Sequence, residues 1–112
     1  MKSFEIVEKI TGGLIIGFLN GRMNAESVPC FEEWADHLIE LGAERIIIDL
    51  SSLTYISSAG LRAVLTVAKE LQKRRGLIIC GLYGIVAEVF HVSGFMEILH
   101  IKNTAAEALA EL

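Results

Sequence analysis

The apolar positions of the chain fall into blocks with different periods. Residues 4–10 and 14–20 are apolar-rich runs containing branched side chains, separated by Thr11-Gly12-Gly13. Two such runs joined by a short glycine turn predict an antiparallel hairpin, because glycine supplies the positive φ that tight hairpin turns require. Over residues 27–41 the period lengthens: Phe31, Trp34, Leu38 and Leu41 recur every three or four positions, with Glu32, Glu33, Asp36 and Glu40 on the other side. That spacing predicts an amphipathic helix ended by Gly42 and begun near Pro29, whose missing N–H costs nothing in a first turn.

The run Arg45-Ile46-Ile47-Ile48-Asp49-Leu50 shows no alternation, the pattern of a central strand covered on both faces. A polar stretch, residues 51–58, then leads into a second amphipathic helix. Its apolar stripe reads as Leu61, Leu65, Ala68 and Leu71, with Arg62, Lys69, Lys73 and Arg74 facing away. Gly76 ends this helix and residues 77–80 form another buried strand, completing a strand-helix-strand unit of the right-handed crossover type. Residues 85–92 predict a short helix and residues 97–101 an edge strand. Thr104-Ala105-Ala106-Glu107 is a capping box that opens a last helix over 105–112. The expected order is β-β-α-β-α-β-α-β-α, an α/β class fold, with no linker or repeat dividing residues 1–112 into more than one domain.

Composition narrows the functional classes. The 112 residues, 53% of them hydrophobic, suffice for one core but not for a deep cavity with lids, which disfavours an enzyme of large substrates. With 10 Lys+Arg against 14 Asp+Glu the net charge is -4, and the one basic cluster, Lys73-Arg74-Arg75, is short. A nucleic-acid partner is therefore not expected, since phosphate neutralisation needs clustered cations. The apolar runs stay well below the roughly 20 residues that span a bilayer. The acidic start lacks the pattern of a secretory signal, so the expectation is a cytoplasmic protein without direct membrane insertion. Cys30 and Cys80 lie far apart in apolar contexts and read as two buried, reduced thiols. His37 reads as solvated, and His91 and His100 as half-buried and hydrogen-bonded; the three are too scattered to ligate a metal. Neither a dinucleotide fingerprint nor a P-loop is present, so no cofactor is expected.

The chemically informative segment is Tyr55-Ile56-Ser57-Ser58-Ala59-Gly60-Leu61-Arg62, where two hydroxyls fall between the central strand and a helix start. Either Ser57 or Ser58 can act as N-cap, accepting hydrogen bonds from unpaired backbone N–H groups. A phosphate attached here would meet those donors and the positive end of the helix dipole. It would also add about -1.5 to -2 charges, enough to repel an acidic or apolar partner surface. A nucleophilic serine is disfavoured, because Gly-x-Ser-x-Gly needs a glycine where Ile56 or Tyr55 stands and nothing places a histidine beside the turn.

Ile48-Asp49-Leu50-Ser51 together with Tyr55-Ile56-Ser57-Ser58-Ala59-Gly60-Leu61-Arg62 resembles the signature of the STAS domain, the anti-sigma factor antagonist family. Asn20-Gly21-Arg22-Met23-Asn24-Ala25 resembles that family's Gly-Arg-Leu-Asp-Ala turn after the second strand. Glu88-Val89-Phe90 with Ser93-Gly94-Phe95 resembles its late helix and turn, and residues 104–112 its closing helix. The likeness runs from about residue 14 to the end.

The resemblance implies a small mixed sheet of four to five strands flanked by about four helices, and a non-enzymatic regulator that works by partner switching. In such members the unphosphorylated antagonist binds an anti-sigma factor that is also a serine kinase; phosphorylation releases it, and a serine phosphatase resets the cycle. The acceptor position falls on Ser58, with Ser57 the second choice, and Asn24, Ser57, Ser58, Gly60, Leu61 and Arg62 fall in the partner footprint. Ser57 and Asn24 stand where many phosphorylated members carry Asp, which leaves fewer carboxylates to repel an incoming phosphate. The same resemblance implies an alternative, an accessory or regulatory subunit of a membrane transport complex. Nucleotide binding, associated with some members, has no phosphate loop to support it here. Under the partner-switching reading, a contiguous apolar patch should lie exposed beside Ser58.

Overall fold

The computed structural model describes residues 3–11 and 14–111. Phe4–Thr11 (β1) and Leu14–Met23 (β2) pair antiparallel, with Phe4 opposite Gly21 and Thr11 opposite Leu14. The Gly12-Gly13 turn between them lies outside the described residues. Val28–Glu40 (α1) leads to Arg45–Ile56 (β3), Ser58–Leu71 (α2), Gly76–Cys80 (β4), Gly84–Ser93 (α3), His100–Lys102 (β5) and Ala105–Ala110 (α4). The sheet order is β1-β2-β3-β4-β5, with β2 through β5 parallel and only β1 reversed. The mixed five-stranded sheet with four helices is the α/β architecture expected, and β3 occupies its centre.

The triple isoleucine of β3 decides the layering. Side chains alternate across a strand, so Ile46, Ile48 and Leu50 point to one face and Ile47 to the other. The first face packs against Phe31, Ala35 and Leu38 of α1, Leu61, Val64, Val67 and Leu71 of α2, and Val86 and Phe90 of α3. On the opposite face Ile16, Ile47, Ile78 and Cys80 meet Ala108 of α4. Each large apolar side chain buried in this way contributes about 2 kcal/mol. Three helices thus share one face and the short α4 covers part of the other. Lys102 Nζ and His100 Nε2 reach the Glu111 carboxylate at 3.1 and 2.5 Å, joining the end of α4 to β5. Lys102 first, then His100, holds that carboxyl below its ordinary range.

Several sequence expectations are corrected. The predicted strand 45–50 continues to Ile56, because Leu53 and Ile56 still face the core while Ser51, Ser52 and Thr54 face solvent. Hydroxyl residues suit a half-exposed strand, and the pairing with β2 shifts register twice along this stretch. In the same way β2 runs through Asn20-Gly21-Arg22-Met23, which the sequence reading assigned to a turn. The predicted strand 97–101 shortens to His100–Lys102, because Gly94, at φ +79, turns the chain into a 3-10 segment at Phe95–Glu97. Leu41 is exposed because α1 ends at Glu40, before a further turn could carry that side chain back to the core. Cys30 is exposed on the first turn of α1 rather than buried, and His91 and His100 are exposed as well.

Cys80 is buried as expected. Burial and the neighbouring Asp49 push its thiol up to about 12, so it stays neutral, and it donates weakly to the Ile48 carbonyl at 3.6 Å. The half-turn at Asp49 is itself satisfied, its Oδ1 accepting from the Ser51 N–H at 2.8 Å.

The buried stripe of α2 also differs from the prediction. It runs through Gly60, Leu61, Ala63, Val64, Val67 and Leu71, leaving Leu65 and Ala68 only half-buried. The helix is apolar around much of its circumference, so periodicity alone admits two neighbouring stripes. No helix among the described residues is long and apolar enough to cross a membrane.

Candidate functional site

The chain reaches the site through the C-terminal ends of β2 and β3. After Met23, Asn24 closes a turn in which its Oδ1 accepts from the N–H groups of Glu26 and Ser27 at 3.0 and 3.1 Å. The Ser27 hydroxyl completes it, accepting from Asn24 N–H and donating to the Arg22 carbonyl, both at 2.8 Å. Arg22 in turn lies over the Tyr55 ring at 4.3 Å, tying the two strand ends together by a cation–π contact. The side-chain carbonyl of Asn24 is therefore engaged in shaping the turn.

β3 then passes into α2 within one residue. The Ser57 N–H donates to the Met23 carbonyl at 2.9 Å, which sets the start of α2 beside the Asn24 turn. Ser57 is the N-cap, with extended backbone and its Oγ accepting from Gly60 N–H at 3.1 Å. The sequence left the cap open between two serines; the structure gives it to Ser57 and leaves Ser58 as an exposed first residue of the helix. Capping by Ser57 satisfies one of the free N–H groups of α2, and Ser57→Ala should lower stability by about 1 kcal/mol in chemical denaturation. Ser58→Ala should leave the midpoint nearly unchanged, and equal losses for both would refute this division of roles.

Gly60 is buried under this turn, where a Cβ would come within 2.9 Å of both the Met23 carbonyl oxygen and Ile56 Cγ1. Its contribution is the close approach of α2 to the strand ends. Leu61 is 6% exposed and forms part of a groove floor, while Arg62 stands exposed on the rim. The structure thus brings Asn24, Ser57, Ser58, Gly60, Leu61 and Arg62 to one end of the sheet, with Gly60 beneath the surface.

Between α2 and α3 lies an open groove of about 580 Å³ that begins at Ser58, with Leu61 at its floor, and is walled by Leu65 on one side and by Ile85, Val89 and Val92 on the other. Ile85 is 58% and Val92 88% exposed, high values for large aliphatic side chains. Arg62 and Glu88 supply the polar rim. The apolar patch expected beside Ser58 is present. The sequence reading missed its α3 wall and the place of Leu65 in it. The signal was the run Ile85-Val86-Ala87 with Val89 and Val92, too apolar for one face of a short surface helix.

No group of three or more metal-ligating side chains occurs among the described residues. The site offers a solvent-facing hydroxyl at a helix N-terminus, an adjacent guanidinium and an apolar trough. These can accept a phosphate and hold an apolar segment of another molecule.

Comparison with known proteins bears on the family and the fold. Residues 5–108 match the STAS domain family model. The chain is 40% identical over 99 residues to BtrV of Bordetella bronchiseptica, named as an anti-sigma factor antagonist, covering 88% of this chain and 85% of that protein. Its fold superposes on an anti-sigma factor antagonist from Mycobacterium paratuberculosis with a TM-score of 0.90 at 18% identity, covering 97% and 93% of the two chains. It also matches the Bacillus cell fate determinant SpoIIAA in its phosphorylated form, with a TM-score of 0.72 at 24% identity and coverage of 96% and 97%. With the family model spanning nearly the whole sequence and the two-sided five-stranded sheet in place, this chain belongs to the STAS domain family.

Proposed function

We propose that the protein is an anti-sigma factor antagonist that binds an anti-sigma factor with serine-kinase activity when unphosphorylated and leaves it when Ser58 is phosphorylated. The observation that carries this reading is the division of labour at the start of α2. Ser57 caps the helix, which leaves the exposed Ser58 hydroxyl out of the cap, at the mouth of an apolar groove. The names of the relatives support the antagonist role, and the phosphorylated state of the Bacillus structure supports a phosphate in this family.

The switch follows from electrostatics. Unmodified, the groove presents Leu61, Leu65, Ile85, Val89 and Val92 for burial by a partner. A phosphate on Ser58 adds about -1.5 to -2 charges at its mouth, which a partner covering the groove would have to desolvate. Within the free protein the same phosphate is well placed, beside the α2 N-terminus and one helical turn before Arg62. Phosphorylation thereby favours the free protein over the complex. The protein itself performs no catalysis; the kinase partner adds the phosphate and a serine phosphatase removes it.

Intact-mass and peptide mass spectrometry of the protein from its native cells should show a single phosphate on Ser58 that disappears in Ser58→Ala. A phosphate confined to Ser57 would move the acceptor. Absence of phosphate across growth conditions, with stable co-purification of an ATP-binding transporter subunit, would overturn the reading in favour of a transport accessory subunit.

A further inference from the structure

The sheet ends at β1 with no strand beside it among the described residues. An open edge of eight residues is a template for pairing, and its composition decides with what. The Arg22 N–H donates to the Ser3 carbonyl at 2.9 Å, so odd-numbered residues of β1 direct their backbone groups to β2. Phe4, Ile6, Glu8 and Ile10 therefore present their N–H and C=O groups to the open side.

Side chains follow the same alternation. Glu5, Val7 and Lys9 lie on the α4 face, since Val7 stands opposite Phe18, which packs against the Ile16 and Ile47 cluster. On that face the order is acid, apolar, base, with Val7 at its centre 49% exposed. Ile10, 65% exposed, extends the apolar edge on the other face.

We propose that β1 pairs antiparallel with β1 of a second copy of this chain about a two-fold axis through Val7, joining two sheets into one of ten strands. In this register Val7 faces Val7, and Glu5 of each copy faces Lys9 of the other. Ile6 faces Glu8 and Phe4 faces Ile10 in the hydrogen-bonded pairs, as their outward backbone groups require. On the α4 face a continuous apolar row forms: Phe18 and Val7 of one copy, then Val7 and Phe18 of the next. Neighbouring registers lose this match. A shift of two residues one way sets Glu5 against Val7, and the other way sets Glu8 against Glu8 of the second copy. The edge is complementary to itself in one register, which is what an isologous interface demands. It is reached without the α2–α3 groove, so the dimer does not depend on the partner-switching role.

Sedimentation velocity over micromolar to millimolar concentrations should show a reversible monomer–dimer equilibrium for the intact protein. Glu5→Lys and Lys9→Glu, each placing like charges opposite one another twice per dimer, should each weaken association about tenfold. The double exchange Glu5→Lys with Lys9→Glu should restore it. In a Cys30→Ser background, Val7→Cys should oxidise to a covalent dimer, because opposed residues of a non-hydrogen-bonded pair lie about 4.5 Å apart at Cα, within disulfide reach. Lys9→Cys, which faces Glu5, should not. All substituted positions on β1 are solvent-facing, and circular dichroism of each variant should match the wild type. A wild type that stays monomeric at every concentration, a double exchange as weak as the single variants, or equal cross-linking at positions 7 and 9 would each overturn the proposal.

Discussion

Under the proposed partner switch, a Ser58→Glu variant should bind the partner anti-sigma factor about a hundredfold more weakly than wild type, a loss of about 3 kcal/mol. The substituted carboxylate stands at the mouth of the groove between Leu61 and Ile85, where a bound partner strips away its water. In the free protein the carboxylate is tolerated, because it is exposed and lies in the first turn of α2, where the helix dipole favours an anion. Titration calorimetry should therefore show weakened binding while the melting temperature stays level or rises slightly. Ser58→Ala should bind like wild type and resist phosphorylation, locking the complex. A glutamate variant with unchanged affinity would place the partner surface elsewhere, and Val92→Glu on the far wall of the same groove would then show whether the trough is used at all.

The second large effect is on stability. Gly60→Val should cost about 3 kcal/mol, because a branched side chain must enter a space where even a Cβ lies 2.9 Å from a backbone oxygen. The Met23 carbonyl cannot move freely, since it also accepts the Ser57 N–H that positions the cap. Gly60→Ala is the sharper test. Alanine favours a helix interior over glycine by about 1 kcal/mol, so a surface glycine would give a stabilised variant. Net destabilisation by alanine in a denaturant titration would show that the close approach of α2 outweighs helix propensity. A gain in stability would show that α2 can lift from the strand ends at little cost.

These two residues illustrate what was legible before the structure. The motif Ser57-Ser58-Ala59-Gly60-Leu61-Arg62 could be placed at a strand-to-helix turn because the triple isoleucine before it and the apolar spacing after it are strong local signals. Which serine caps could not, since both hydroxyls fit the local rule and the choice rests on the Met23 carbonyl, more than thirty positions away in sequence. Asn24 was singled out beside the serines by resemblance. Its geometric reason is that the end of β2 and the start of α2 share that same carbonyl. The exposed Cys30 and Leu41 show the opposite error: apolar neighbours suggested burial for Cys30 and helical spacing suggested it for Leu41, but exposure depends on which side of α1 faces the sheet and where the helix stops.

Sequence alone determined the alternation of strands and helices, the central place of β3, the hairpin at the start and the turn that carries the serines. All of these follow from periodicities and turn residues that act within a few positions of one another. Only the tertiary structure decided the length of β3 through Ser51-Ser52-Leu53-Thr54, the stripe of α2 that is buried, and the groove that Leu65 makes with Ile85 and Val92. Those features depend on which surface each element finds across the sheet. A half-polar strand, or a helix apolar around much of its circumference, is compatible with more than one neighbour until packing selects one.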